Sequence, residues 1–176
     1  MCLPAPDNGV VARFFLHVHL RSDVITDDDF AILVSLASKW AQEQEQRILR
    51  DGVPLSPAQL SDARKIGLAH PDRVRLLKVP AIPIPENPIL QSAADATQLI
   101  SPATNGLTVR YGIFIRADGW DDRDLIRHEL VHTLQYERLG GIPEFLERYL
   151  YECSTVGYPA APMEQEAIET AARLSS

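Results

Sequence analysis

Hydrophobic and polar residues in the first hundred positions recur with the periods of helices and strands. Over residues 28–50 the apolar side chains have helical spacing and are followed by a charged stretch, which predicts a long helix with one exposed side. Ser56 followed by Pro57 predicts the start of a short second helix, which ends at Gly67. A strand, a proline-rich irregular connection and a third helix are expected next, over residues 74–79, 80–88 and 89–99.

The second half of the chain predicts a small amount of sheet followed by three helices. Residues 107–115 alternate around a glycine and are rich in β-branched and aromatic side chains, which is typical of one bent strand or a tight hairpin. The next helix is capped by Asp121 or Asp122 and stops at Gly140 and Gly141. A helix, a turn and a last helix complete the pattern, over residues 143–153, 157–162 and 163 onward.

These elements predict an α+β fold that is mostly helical, with a small sheet next to the helix that ends at Gly140. The chain has 176 residues, and a chain of this length buries roughly 70% of its unfolded surface around one core. We therefore expect a single domain over residues 1–176, in which residues 1–27 form an irregular N-terminal segment.

Charge and composition narrow the classes of function. The net charge is -7 and only three lysines are present, which argues against nucleic-acid binding because that affinity depends on basic side chains. The apolar run at residues 10–20 is too short and too interrupted to span a membrane, and it lacks the basic start of a signal peptide. Cys2 and Cys153 do not imply a disulfide framework, so the expected location is cytoplasmic.

The main chemical signal is the segment His128-Glu129-Leu130-Val131-His132 inside a predicted helix. Histidines four residues apart on a helix project from one face towards one point, which suits two ligands of a zinc ion. Glu129 lies about 100° around the helix from His128, where it can reach a metal-bound water without being a ligand. The segment thus predicts Zn²⁺ held by His128 and His132, with Glu129 as the general base.

A catalytic zinc needs a third protein ligand, and the last helix offers Glu164 and Glu166. Both lie in its first turns, where either carboxylate would favour the helix dipole. On a helical wheel Glu164 falls within the apolar arc, whereas Glu166 falls near Arg173 on the polar side. The arc consists of Met163, Ala167, Ile168, Ala171 and Leu174. The wheel favours Glu164 as the third ligand and leaves Glu166 as the alternative.

A HELVH motif followed by a helix with Glu-x-x-Ala resembles the gluzincin branch of zinc metallopeptidases, and in particular its small bacterial members. The likeness covers residues 127–141 and 157–167, and residues 1–100 have no counterpart in it. It implies a zincin-like fold in which His128, His132 and Glu164 hold the metal and the strand before the motif helix edges the active-site cleft. One departure is Ile168, which stands where many such enzymes place an acidic residue that orients a histidine.

A zinc-dependent peptidase acting on a peptide or protein is therefore the leading hypothesis. The metal would lower the pKa of its water towards 7, and Glu129 would accept the proton and pass it to the leaving amine. Tyr158 is the nearest candidate donor to the oxyanion, and an extended peptide would lie along the strand at residues 107–115. Two alternatives stay open: a non-catalytic zinc protein with the same ligands, and an interaction module that uses the long N-terminal helix.

Overall fold

The computed structural model describes residues 26–97 and 99–175. Within these residues the chain forms a mostly helical α+β domain with one four-stranded sheet, so the predicted fold class is confirmed. The expectation of an irregular N-terminal segment falls mainly on residues 1–25, which lie outside the described residues, as do His17, His19 and Cys2. The predicted irregular segment also included residues 26 and 27. There the prediction was wrong, because Thr26 caps the first helix and Asp27 begins it.

The helices follow the predicted order, and their ends carry the expected capping residues. They are α1 (Asp27–Asp51), α2 (Pro57–Ile66), α3 (Pro88–Thr97), α4 (Arg123–Leu139), α5 (Ile142–Val156) and α6 (Pro162–Ser175). Of the two candidate caps for α4, Asp122 is the one whose side chain accepts hydrogen bonds from the first turn. Gly140 ends α4 with a left-handed φ of 105°. Among the described helices, none is long and apolar enough to cross a membrane.

The sheet contains strands β1 (Val53–Pro54), β2 (Arg75–Val79), β3 (Gly106–Val109) and β4 (Gly112–Arg116) in the order β1-β2-β4-β3. β2 and β4 are parallel, and the two outer pairs are antiparallel. Residues 107–115 therefore form the tight hairpin, which was one of the two predicted alternatives. Only β3 of this hairpin lies at the edge of the sheet, because β4 pairs with strands on both sides.

The apolar core lies on both faces of the sheet. Phe114 belongs to one buried cluster, and its neighbours Ile113 and Ile115 belong to the other, because successive strand residues point to opposite faces. Helix α4 contributes Leu130 to the second cluster and Tyr136 to the first. The motif helix is thus buried on two sides.

Helix α6 departs from its wheel at one position. Met163, Glu164, Ala167 and Ala171 are buried, but Ile168, which the wheel placed in the apolar arc, is 42% exposed. The prediction was wrong because α6 packs mainly on α4 and buries only a narrow stripe, and Ile168 lies just beyond the edge of that stripe.

Candidate metal centre

Helix α4 and the first turn of α6 bring three potential metal ligands to one point. The Nε2 atoms of His128 and His132 are 3.1 Å apart. Glu164 places Oε1 at 3.0 Å from the first of these nitrogens and Oε2 at 3.3 Å from the second. In a tetrahedral zinc site with bonds of about 2.0–2.2 Å, neighbouring ligand atoms are roughly 3.3 Å apart. The separations therefore fit a zinc shell, and these three residues form a cluster that could hold a metal ion.

The charges around Glu164 also suit a cation. This carboxylate is only 1% exposed, and its neighbours are the two imidazoles and the Tyr149 hydroxyl, which donates to Oε2 at 2.9 Å. Burial acts to raise the pKa of Glu164, but its hydrogen bonds to His128 and His132 hold the pKa well below the usual range. Burial opposes charging of His132, yet Glu164 raises its pKa. The carboxylate is thus ionised, and the compensating positive charge would come from protonated imidazoles or from a metal ion bound among the three side chains.

Gln135 determines which nitrogen of His132 faces the site. The Gln135 amide nitrogen donates to the Met163 carbonyl at 2.8 Å and to a carboxylate oxygen of Glu166 at 2.9 Å, and both partners can only accept. The amide oxygen must then be the atom at 2.8 Å from His132 Nδ1, so that Nδ1 carries the proton. With the Nδ1 proton held in this way, a metal that displaces the Nε2 proton would meet a lone pair directed at the cluster, as a metal ligand requires.

Glu129 lies beside this cluster and lines the same cavity. It is 5% exposed, and the Thr108 hydroxyl on β3 donates to Oε2 at 2.6 Å. The other carboxylate oxygen lies against Gly106, where a side chain of any kind would collide with it. Strand β3 therefore holds the Glu129 carboxylate through the Thr108 hydroxyl and leaves room for it at Gly106.

Tyr158 lies at the exposed side of the same cavity, with 43% of its surface accessible. Burial of the phenol and the negative charge of Glu164 raise its pKa to about 12, so that the hydroxyl remains a hydrogen-bond donor at neutral pH. Its position is compatible with the predicted role towards an oxyanion, which stays a prediction.

Glu166, the alternative ligand, is directed away from the cluster. Its carboxylate accepts hydrogen bonds from Arg138 at 2.6 Å and from Gln135. The wheel correctly separated Glu166 from Glu164, and the ion-pair partner of Glu166 is Arg138, whereas Arg173, on the same polar side of the wheel, lies 3.8 Å from Glu169. Glu166 supports Gln135 and thereby contributes to the orientation of His132.

Sequence reasoning missed three residues that position the candidate site residues: Gln135 and Tyr149 contact candidate ligands, and Thr108 contacts the candidate base Glu129. Gln135 supplies the contact to a histidine that the resemblance expected from an acid at position 168. A signal for it exists in the sequence, because a residue three positions after His132 lies next to it on the helix surface. Nothing in the local sequence connects Tyr149 to Glu164 or Thr108 to Glu129, because each contact joins two elements that meet only in the fold.

A cavity extends from these residues between β3 and the helices α1, α3 and α5. The expectation that a peptide lies along residues 107–115 is narrowed by the hairpin, because β4 is an inner strand and only β3 borders the cavity. Even on β3, the Thr108 carbonyl is engaged by the Tyr136 hydroxyl at 3.3 Å. Main-chain pairing with a peptide is therefore confined to a few positions of β3.

No family model, no curated protein and no solved structure matches this chain.

Proposed function

We propose that this protein is a zinc-dependent hydrolase and that its substrate is a peptide or protein. The observation that carries the proposal is the convergence of His128, His132 and Glu164 on one buried point, with the Glu129 carboxylate in the same cavity. Two imidazoles and one carboxylate are a ligand set of catalytic zinc, which keeps a further position open for water or substrate.

Each residue of the centre has a distinct part in this proposal. A bound zinc ion would act as a Lewis acid and would make water acidic enough to react near neutral pH. Glu129 accepts the proton of the attacking water and later donates it to the leaving amine. Thr108 holds Glu129 during this transfer, and Tyr158 donates a hydrogen bond to the substrate oxygen on which negative charge develops.

The buried position of Glu129 favours catalysis over a purely structural metal site. A structural site is closed by four ligands and has no use for a further buried carboxylate. Here Glu129 is 5% exposed and is held by a neutral partner, which costs desolvation without an ion pair in return. A carboxylate kept in such a place is typical of a general base.

Metal analysis followed by a paired substitution tests the proposal. The protein purified without chelator should contain about one zinc per chain, and His128→Ala or His132→Ala should abolish it. Glu129→Gln should retain the metal and lower the hydrolysis of fluorescently labelled casein by about 10²–10⁴-fold. Glu147→Gln, an exposed glutamate on α5, is the matched control and should leave hydrolysis unchanged.

The outcomes separate the three readings of the centre. Absence of zinc in the wild-type protein and full zinc in the histidine variants would each refute the metal site. Stoichiometric zinc without any hydrolysis by the wild-type protein would support a non-catalytic zinc protein. Hydrolysis that survives Glu129→Gln would move the base to another residue.

A further inference from the structure

Two helices from the first hundred residues line the cavity that leads to the metal centre. Helix α1 provides Leu33, Ala37 and Trp40, and helix α3 provides Leu90, Ala93 and Ala94. No titratable side chain lines the cavity from these two helices, within the described residues. The titratable residues of the lining come from α4 or are Tyr149, Tyr158 and Glu164. They lie at the end of the cavity where the candidate ligands meet. The cavity thus has one polar end and one apolar end.

The size of the cavity limits what can enter it. The whole cavity, with its polar end included, has a volume of about 150 Å³. An apolar cavity of roughly this volume, about 150 Å³, stays dry and binds benzene when it is lined by aliphatic and aromatic side chains. The space therefore fits a phenyl ring or a branched aliphatic group. A charged side chain would lose its hydration in the apolar end without gaining a partner there.

We propose that α1 and α3 form the specificity pocket of this centre and that its substrates carry a phenylalanine or leucine side chain next to the bond that is cleaved. The inference rests on the proposed peptidase function and adds the substrate class to it. The apolar side chain enters the space between the two helices while the adjacent carbonyl group lies among His128, His132 and Glu164. Residues of α1 and α3, which lie outside the HELVH motif, thereby select the substrate.

Helix α3 allows a matched pair of substitutions. Ala93 lines the cavity, whereas Ala96, three residues further along the same helix, is exposed and lies outside the lining. Ala93→Leu fills the cavity from one wall, and Ala96→Leu adds the same atoms at the surface. Ala37→Leu on α1 fills the cavity from a different wall and replaces Ala93→Leu if that variant does not fold.

Binding to the metal-free protein tests the pocket without any turnover. N-acetyl-L-phenylalaninamide should cause saturable chemical-shift changes in a ¹H–¹⁵N spectrum, and N-acetyl-L-lysinamide and N-acetyl-L-glutamic acid amide should not. Ala93→Leu should weaken the binding by about tenfold or more, because the added carbons occupy the part of the cavity that the phenyl ring would enter. Ala96→Leu should leave the binding unchanged. Equal binding of the charged probes, or unchanged binding in both Ala93→Leu and Ala37→Leu, would overturn the pocket.

Cleavage of a peptide mixture by the zinc-loaded protein separates this inference from the function on which it rests. Cleavage next to phenylalanine and leucine that declines in Ala93→Leu supports both. Cleavage next to charged or small residues overturns the pocket and leaves the peptidase intact. Saturable binding of the phenylalanine probe without cleavage of any peptide retains an apolar binding pocket and overturns its assignment to substrate cleavage.

Discussion

Replacement of Gln135 by methionine tests whether the orientation of His132 controls metal binding. Methionine has a similar volume but is only a weak acceptor for the Nδ1–H group of His132, whose hydrogen bond the Gln135 amide oxygen accepts at 2.8 Å. Gln135 is only 1% exposed, so water does not readily replace the lost hydrogen-bond partner of His132. In the metal-free protein the imidazole proton can reside on Nε2, next to Glu164 Oε2 at 3.3 Å, but a metal-bound Nε2 cannot carry it. The loss of this hydrogen bond therefore destabilises mainly the metal-bound protein.

The size of the effect follows from that single unpaired group. A buried donor left without a partner costs about 1–3 kcal/mol. Since about 1.4 kcal/mol corresponds to a factor of ten in a dissociation constant, Gln135→Met should weaken zinc binding by about 10–100-fold. The same range, about 10–100-fold, is typical when the partner of a metal-binding histidine is removed. Gln135 also donates to the Met163 carbonyl, so unfolding of the metal-free variant should become easier by about 1 kcal/mol.

Competition with a chromophoric chelator measures the zinc affinity, and urea unfolding measures the stability. Gln46→Met, at an exposed position of α1, is the matched control and should change neither quantity appreciably. Gln135→Glu keeps an acceptor for His132 but places a second carboxylate beside Glu166, so it should retain most of the zinc affinity and lose stability. Wild-type affinity in Gln135→Met, or equal loss of affinity in Gln135→Met and Gln135→Glu, would refute this role of Gln135.

Two further predictions concern other parts of the fold. Thr108→Val removes the hydroxyl that holds Glu129, so casein hydrolysis should fall by about tenfold or more at unchanged zinc content, and Thr108→Ser should restore it; equal rates for all three proteins would contradict this. Asp62→Asn removes the buried carboxylate that Arg123 and Arg127 share; because Arg123 is half exposed and Arg127 keeps its ion pair with Asp124, the change should cost about 1–3 kcal/mol in urea unfolding at pH 7. Hydrogen bonds from these arginines lower the pKa of Asp62, so its contribution exists above the unfolded-state pKa and fades as the pH falls; the two proteins should converge in acid, and a pH-independent difference would contradict the argument.

Local patterns in the sequence were sufficient for the elements and for part of the centre. Helical periodicity and capping residues predicted the helices to within two or three residues, because those signals act between neighbours along the chain. The spacing of His128 and His132 placed their rings on one face, since helix geometry alone decides this. The wheel of α6 directed Glu164 rather than Glu166 towards the motif helix, and the same wheel failed at Ile168, where the width of the buried face mattered.

Only the tertiary structure decided what surrounds these residues. Thr108 meets Glu129 across 21 positions of sequence, and Tyr149 meets Glu164 across 15. Such contacts depend on how the elements pack, and a pattern with a period of a few residues does not encode them. The same holds for α1 and α3, whose apolar faces predicted burial but not that they would enclose a cavity beside the candidate ligands. The candidate ligands and the candidate base were visible in the sequence, whereas the residues that support them and the cavity next to them depend on packing.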